Sequence, residues 1–368
     1  MKKKLKNYDF ILIITPILLA AFGVVMVYSA SMVSAVADGL DSKYYLYKQL
    51  QWFIVSMIGF FIFALIPYKK LKTITKWIVI FSFALLIGVV LFGVTANQAT
   101  RSINLFGVIN FQPAEFVKLG VIIYLASIYS KKQNYIEDFK RAVFPPLLVV
   151  ALLTVLILQQ PDIGTSGILI STTLVMISCA GFKIKHLAGI GGVLLLVIAV
   201  AIPLMATETR LARITGAYQP FASPDSDGYH LVQSYLAIGS SGLSGEGLGQ
   251  SIQKLGYLWG AHTDFIMAII AEELGFVGVI GVIGLLALIV LRGFYFARYC
   301  EDQFGSLLAV GISAMIGIQA IINLSVTSGI LPITGVPLPF ISYGGSSLII
   351  LMISMGILNN IAKHVNQN

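Results

Sequence analysis

Long apolar stretches alternate with short polar segments along most of the chain. Each stretch approaches the roughly 20 residues that a helix needs to cross the hydrocarbon core of a bilayer. The first, Phe10 to Val27, is longer than the apolar region of a signal peptide, so we expect a retained helix. The pattern predicts ten membrane-spanning helices, at about residues 10–30, 50–67, 74–93, 113–130, 143–160, 164–182, 187–206, 264–291, 304–327 and 343–362.

The composition agrees with this pattern. The 368 residues are 57% hydrophobic and 11% charged, whereas soluble domains are about 25% charged. We therefore expect an all-α polytopic membrane protein forming a single domain over residues 1–368. The net charge of +8 does not indicate a nucleic-acid partner, because no basic patch on a water-soluble module accompanies it. Cys179 and Cys300 lack the spacing of a disulfide framework or a metal cluster.

The distribution of lysine and arginine predicts the orientation. Ten spans put both termini on one side, and 17 of the 24 basic residues fall in segments on that side. By the positive-inside rule, both termini are cytoplasmic. The largest external segment, residues 207–262 between the seventh and eighth spans, is long enough to be functional. We expect it to fold back onto the helices and cap a cavity, with a short helix near Leu231 to Ile238.

Charged residues inside spans are costly and are therefore candidates for a functional site. A first group combines Arg101 and Gln112 with Glu115 and Lys118, which lie three residues apart on one helix face and can form an ion pair. This pair could be purely structural, or it could face a cavity. Asp162 lies in the short turn of QQPDIGTSG, where it can cap the following helix. Such a cap could also orient a neighbouring cationic group.

A second region surrounds the start of the eighth predicted span. His262, Thr263 and Asp264 begin it, either Thr263 or Asp264 could cap it, and Glu272 and Glu273 lie two turns deeper. The preceding Gly245, Gly247 and Gly249 are spaced like a phosphate-binding loop. No strand precedes them, so we interpret them as turns.

Prolines and glycines break the helical pattern before the last span. The sequence LPITGVPLPFISYGGSS predicts a re-entrant or broken segment, because irregular backbone at membrane depth requires burial in protein or a cavity. Its hydroxyl groups, including those of Ser342 and Ser346, would face the same region.

Several motifs together are similar to one known family. In order and spacing, the chain resembles the SEDS (shape, elongation, division, sporulation) family of bacterial cell-wall polymerases in the segments FQPAEFVKL, QQPDIGTS, QSYLAIGSSGLSGEGLGQS, AHTDFIMAIIAEELG and PLPFISYGGSS. The WGAHTDF form resembles the division-type members of Gram-positive rods. Two departures weaken detailed expectations about loop contacts: Trp259-Gly260-Ala261 replaces the usual Pro-Glu before the motif, and Ser102 follows Arg101 where the family has tryptophan.

The resemblance implies a peptidoglycan glycosyltransferase in the bacterial cytoplasmic membrane. Its substrates would be lipid II and the undecaprenyl-linked glycan. Its partners would be a class B penicillin-binding transpeptidase and other membrane proteins of the divisome or elongasome. Carried over by motif, the family's essential aspartate is Asp264. The further candidate substrate-binding residues are Arg101, Glu115, Lys118, Asp162, His262, Thr263, Ser342 and Ser346.

The chemistry leaves the role of Asp264 open. Lipid II carries an α-linked diphosphate and the polymer is β-1,4-linked, so one displacement would invert the anomeric centre. Asp264 could be the base for the acceptor hydroxyl, or it could hold a divalent cation, Mg or Mn, that neutralises the diphosphate. Arg101, Lys118 and Arg210 or Arg213 are candidates for phosphate contact. A lipid II flippase is the alternative, although the cytoplasmic halves of the spans carry few charges.

Overall fold

The computed structural model describes residues 8–96, 99–105, 109–182, 189, 191–192, 214–226 and 228–367. The predicted span 187–206 lies almost entirely outside these residues, as do Arg210 and Arg213. The other nine predicted spans are all helical, and eight of these helices are long and apolar enough to cross a membrane. The principal helices are α1 (Phe10–Ala37), α2 (Tyr44–Leu65), α3 (Lys69–Phe92), α4 (Pro113–Lys131), α5 (Phe144–Gln159), α6 (Ile163–Cys179), α7 (Tyr229–Ser240), α8 (Ile266–Tyr299), α9 (Gln303–Thr327) and α10 (Gly345–Val365).

The helices pack as a bundle whose interior contains α4, α9 and α10. These three helices bury most of their residues, whereas α2 and α3 expose large apolar side chains such as Ile54 and Trp77 on the outside. Helix α10 packs mainly on α2, α8 on α9, and α9 also on α4 and α6. At Gly356 the backbones of α10 and α2 come so close that a Cβ would lie 2.4 Å from the Phe60 carbonyl oxygen.

A small antiparallel sheet connects α3 to α4, which the hydrophobic pattern did not predict. Its strands are β1 (Val94–Ala96), β2 (Ala99–Leu105) and β3 (Ile109–Phe111), in that spatial order. Ser102 pairs with Val94, and Ile103 pairs with Phe111. The sheet thereby places Arg101 of β2 near the first turn of α4, at the predicted outer end of the bundle.

The eighth span differs from the single helix predicted over residues 264–291. Gly275 has φ 66° and ψ −162°, a conformation essentially restricted to glycine, and it separates a buried helix over 266–274 from a 276–299 segment long enough to cross the bilayer alone. The freed amides of Phe276 and Val277 donate to the carbonyls of Gly242 and Leu243. The N-cap position of α8 is Phe265, whose side chain makes no capping hydrogen bond, so the helix begins one to two residues after the Thr263 and Asp264 positions proposed from the sequence.

The described part of residues 207–262, the segment predicted to be external, folds back onto the bundle. Helix α7 matches the short helix predicted near Leu231 to Ile238, and Ser234 on it donates to the carbonyl of Thr327 at the end of α9. Gly245, Gly247 and Gly249 all have positive φ, as expected for turns. The amide of Gly247 donates to the carbonyl of Glu273. The loop therefore supplies a hydrogen-bond partner for backbone that the break in α8 leaves unpaired.

Candidate functional site

The segment 262–264 is held by its backbone carbonyls. The amide of Tyr343 donates to the carbonyl of residue 262 at 2.9 Å, and the hydroxyl of Ser342 donates to that of residue 263 at 2.6 Å. The side-chain amide of Asn323 donates to that of residue 264 at 2.9 Å. Three consecutive carbonyls are therefore fixed by α9 and by the segment before α10. This arrangement restrains the backbone that carries the Asp264 carboxylate.

Arg101 and Asp264 face a common space above Gly335. A Cβ built on Gly335 would lie 3.1 Å from Arg101 Nη1 and 3.8 Å from Asp264 Oδ2. The two charged atoms cannot be farther apart than the sum of these distances. The Arg101 side chain is 24% exposed, although its Nε is buried, and Asp264 is half-buried, so both side chains are partly open to solvent. A cation and a carboxylate that the sequence placed in two separate groups are therefore neighbours.

Asp162 both caps a helix and orients Arg101, the two roles left open by the sequence. It accepts the amide of Thr165 at 3.1 Å in the first turn of α6, and the Thr165 hydroxyl at 2.8 Å. Its Oδ1 lies 3.9 Å from Arg101 Nη1, while Arg101 Nη2 donates to the carbonyl of Pro161 at 2.7 Å. The guanidinium is therefore held by two adjacent groups of the 161–162 turn.

Glu115 and Lys118 form the predicted ion pair, at 3.0 Å, and both side chains are at most 3% exposed. The Lys118 ammonium also donates to Gln319 Oε1 at 2.8 Å. Two protein acceptors thus surround this cation in the interior. The structure brings Lys118 to α9 rather than to the accessible space beside Arg101, and its contact with phosphate stays a prediction.

The hydroxyl groups of Ser342 and Ser346 accept hydrogen bonds from backbone amides. Ser342 Oγ accepts the amide of Leu338 at 2.8 Å. Ser346 Oγ accepts the amide of Gln112 at 3.1 Å, which links α10 to the turn before α4. Their role in substrate binding stays a prediction.

His262 lies half-buried between two aromatic rings. Its ring centroid lies 4.7 Å from that of Tyr45 and 5.8 Å from that of Tyr343. Burial lowers the pKa of His262 to about 4, an effect that the charge of Asp38 partly opposes. The imidazole is therefore neutral near pH 7 and supplies no positive charge to an anionic substrate. Thr263 closes the preceding turn by donating to the carbonyl of Gly260.

The interior contains polar residues that sequence reasoning did not single out. Gln319 and Asn323 are fully buried on α9 and bind backbone groups of the broken segment. Lys254 is also buried, and it pairs with Glu273. The signal for the two amides was their spacing of four residues inside an apolar span, which places them on one helix face.

Comparisons of the sequence with known proteins identify one family. The family model described as "Cell cycle protein", for FtsW, RodA and SpoVE, matches residues 9–367. The chain is 48% identical to the probable peptidoglycan glycosyltransferase FtsW of Bacillus subtilis (strain 168), over 99% of this chain and 93% of that protein. It is 38% identical to the stage V sporulation protein E of the same organism, over 99% of both chains.

Two solved structures share the architecture. One, described as "Structural coordination of polymerization and crosslinking by a peptidoglycan synthase complex", matches with a TM-score of 0.80 and 28% identity, covering 98% of this chain and 99% of the other. The Thermus thermophilus rod shape determining protein RodA matches with a TM-score of 0.71 and 26% identity, covering 98% of each chain. From its motifs, its multi-pass helical fold and these matches, the chain belongs to the FtsW, RodA and SpoVE family of cell cycle proteins.

Proposed function

We propose that this chain is a peptidoglycan glycosyltransferase of the division type, which polymerises lipid II at the outer face of the cytoplasmic membrane. The relative at 48% identity carries the name of that enzyme. The observation that carries the proposal is that Asp264 Oδ2 and Arg101 Nη1 both lie within 4 Å of one point above Gly335. A base and a cation in one accessible space suit a displacement that deprotonates a hydroxyl and releases a diphosphate.

In this mechanism the Asp264 carboxylate takes the proton from the 4-hydroxyl of the acceptor sugar. The oxygen attacks the anomeric carbon of the donor from the face opposite the diphosphate, so the configuration inverts from α to β. Arg101 stabilises the negative charge of the departing undecaprenyl diphosphate, because a guanidinium binds phosphate oxygens with two parallel donors. Asp162 and the Pro161 carbonyl keep the guanidinium in place for this contact.

A divalent cation could be held at this site if phosphate oxygens of the substrate complete its coordination. The described residues include no group of three or more His, Cys, Asp or Glu side chains that could hold a metal. Magnesium is commonly held by one or two carboxylates together with substrate phosphates, and Asp264 could provide the carboxylate. The ion would neutralise the diphosphate, beside Arg101.

The proposed partner is a class B penicillin-binding transpeptidase. The structure with a TM-score of 0.80 is described as a peptidoglycan synthase complex that coordinates polymerisation and crosslinking. A division-type enzyme would also contact membrane proteins of the divisome. Since a transpeptidase acts on the new glycan outside the cell, this partnership agrees with an external site.

The proposed orientation places both termini in the cytoplasm. Cys179 and Cys300 then lie at the cytoplasmic ends of α6 and α8, whereas the exposed Trp259 is external. In intact cells, a membrane-impermeant maleimide should label the Trp259→Cys variant and leave the wild type unlabelled. Labelling of the wild type with equal intensity would contradict this orientation.

The experiment that tests the activity is polymerisation of purified lipid II by the reconstituted chain with its transpeptidase partner. Asp264→Asn should abolish glycan chains. The matched control is Asp302→Asn, since Asp302 caps α9 at the cytoplasmic end and asparagine is also a good cap. Equal activity of Asp264→Asn and wild type would refute the assignment of the base. Lipid II translocation without polymer would favour the flippase.

A further inference from the structure

Two buried side-chain amides on α9 bind backbone carbonyls around the candidate site. Asn323 and Gln319 lie one turn apart on α9 and are both inaccessible to solvent. We define the proline segment as residues 332–341, which contains three prolines and precedes α10. Asn323 donates to the Val336 carbonyl at 2.8 Å, and Gln319 donates to the Pro337 carbonyl at 3.0 Å.

Asn323 binds two separate parts of the site with one NH₂ group. Its Nδ2 donates to the Val336 carbonyl and to the Asp264 carbonyl at 2.9 Å. An amide nitrogen has two protons, so both are used. Val336 follows Gly335, the residue above which Arg101 and Asp264 meet. The Asn323 side chain therefore fixes the position of the Asp264 backbone relative to Gly335 and Val336.

Gln319 is oriented by the buried ion pair. Lysine has donors only, so the Lys118 ammonium must face the Gln319 oxygen, at 2.8 Å. The NH₂ group of Gln319 is then directed to the Pro337 carbonyl. Glu115 in turn holds Lys118 at 3.0 Å. The charges thus fix which end of the amide faces the proline segment.

We propose that Asn323 and Gln319 are positioning residues that align Asp264 with Arg101, and that the Glu115–Lys118 pair acts on the site through Gln319. The inference rests on the proposed function, because its kinetic consequence concerns the same displacement. A misplacement of about 1 Å in a reacting group can cost roughly a hundredfold in rate. The hydrogen bond from Asn323 to the Val336 carbonyl is buried, so loss of this donor leaves a buried acceptor without a partner.

Two isosteric variants test the proposal. Asn323→Asp removes both donors, and Gln319→Glu removes the donor to Pro337 while it keeps an acceptor for Lys118. The matched control is Asn360→Asp near the cytoplasmic end of α10. Asn360 is equally buried and donates to the Ala64 carbonyl at 2.8 Å, so it reports the general cost of this change in the interior.

The measurements are lipid II polymerisation kinetics with the transpeptidase partner, thermal unfolding, and amide hydrogen exchange of residues 328–344. We expect kcat to fall about 10- to 100-fold in both variants with little change in KM. Exchange in 328–344 should increase in both, and the control should keep wild-type turnover and exchange.

The outcomes separate the two proposals. Wild-type exchange in both variants would overturn the positioning role whatever the activity, and so would full turnover in both. Equal loss of turnover in the Asn360→Asp control would also overturn it, because the effect would then be general destabilisation. A wild type that forms no glycan refutes the proposed function instead, and the exchange measurement still tests the positioning. Where Asn323→Asp does not fold, Gln319→Glu carries the test.

Discussion

Lys254 of the external segment and Glu273 of α8 form an ion pair at 2.7 Å, with both side chains at most 3% exposed. Ser29 of α1 donates to the same carboxylate at 2.7 Å, so the pair joins the external segment to two helices. Next to it, Glu272 accepts the hydroxyl of Ser251. The external segment is therefore anchored inside the bundle rather than lying on its surface.

Loss of one member of this pair should destabilise the fold. Lys254→Met leaves the Glu273 carboxylate buried without its cation, which costs about 3–5 kcal/mol in comparable pairs. We expect a clear fall in the thermal unfolding temperature in detergent, and a smaller fall when Lys254→Met is combined with Glu273→Leu. The exposed pair of Arg141 and Asp138 provides the control, since Arg141→Met should cost about 1 kcal/mol or less. Equal effects of Lys254→Met and Arg141→Met would contradict the buried anchor.

The sequence was most informative where interacting groups are close along the chain. The Glu115–Lys118 pair follows from a spacing of three residues on a helix, and the cap by Asp162 follows from its place before α6. Local geometry determines both contacts, so no knowledge of the tertiary fold was needed. The helices were predictable for a similar reason, because the bilayer requires long apolar stretches.

Contacts between distant segments could not be predicted in this way. Asn323 and Asp264 are 59 residues apart, and Ser29 and Glu273 are 244 apart. Which helices are neighbours decides such contacts, and the hydrophobic pattern does not contain that information. The break at Gly275 was hidden for another reason, since the apolar residues continue through it and the amides it frees are bound by the loop near Gly242.

Substitution of Gly335 should impair the reaction more than the fold. Gly335→Ala places a methyl group 3.1 Å from Arg101 Nη1 at a residue with φ +72°. The left-handed conformation costs alanine about 1–2 kcal/mol. The matched control is Gly39→Ala, with φ +74° and open space around the added Cβ. We expect similar unfolding temperatures for both variants, but at least a tenfold loss of polymerisation in Gly335→Ala alone. Equal activities would show that the space above Gly335 is not used.

Replacement of Arg101 by lysine should weaken the reaction although the charge is kept. Lysine cannot bind the Pro161 carbonyl and a diphosphate with separate nitrogens, as the guanidinium can. We expect kcat/KM for lipid II to fall about tenfold in Arg101→Lys. The control is Arg298→Lys in the last turn of α8, at the opposite end of this helix from Asp264. If Arg101→Lys changes the unfolding temperature but not kcat/KM, the residue has a structural role only.

The stability of the protein should depend on pH through His262. Its pKa is about 4 in the folded chain because of burial, and about 6.5 when unfolded. Between these values the unfolded state binds more protons, so stability falls as the pH decreases from about 6.5 to 4. His262→Phe keeps an aromatic ring between Tyr45 and Tyr343 but does not titrate. The lowered pKa of His230 is present in both proteins and cancels in the comparison. The unfolding temperature of the wild type should therefore fall more steeply over this range than that of His262→Phe, and parallel curves would show that His262 is not buried in neutral form.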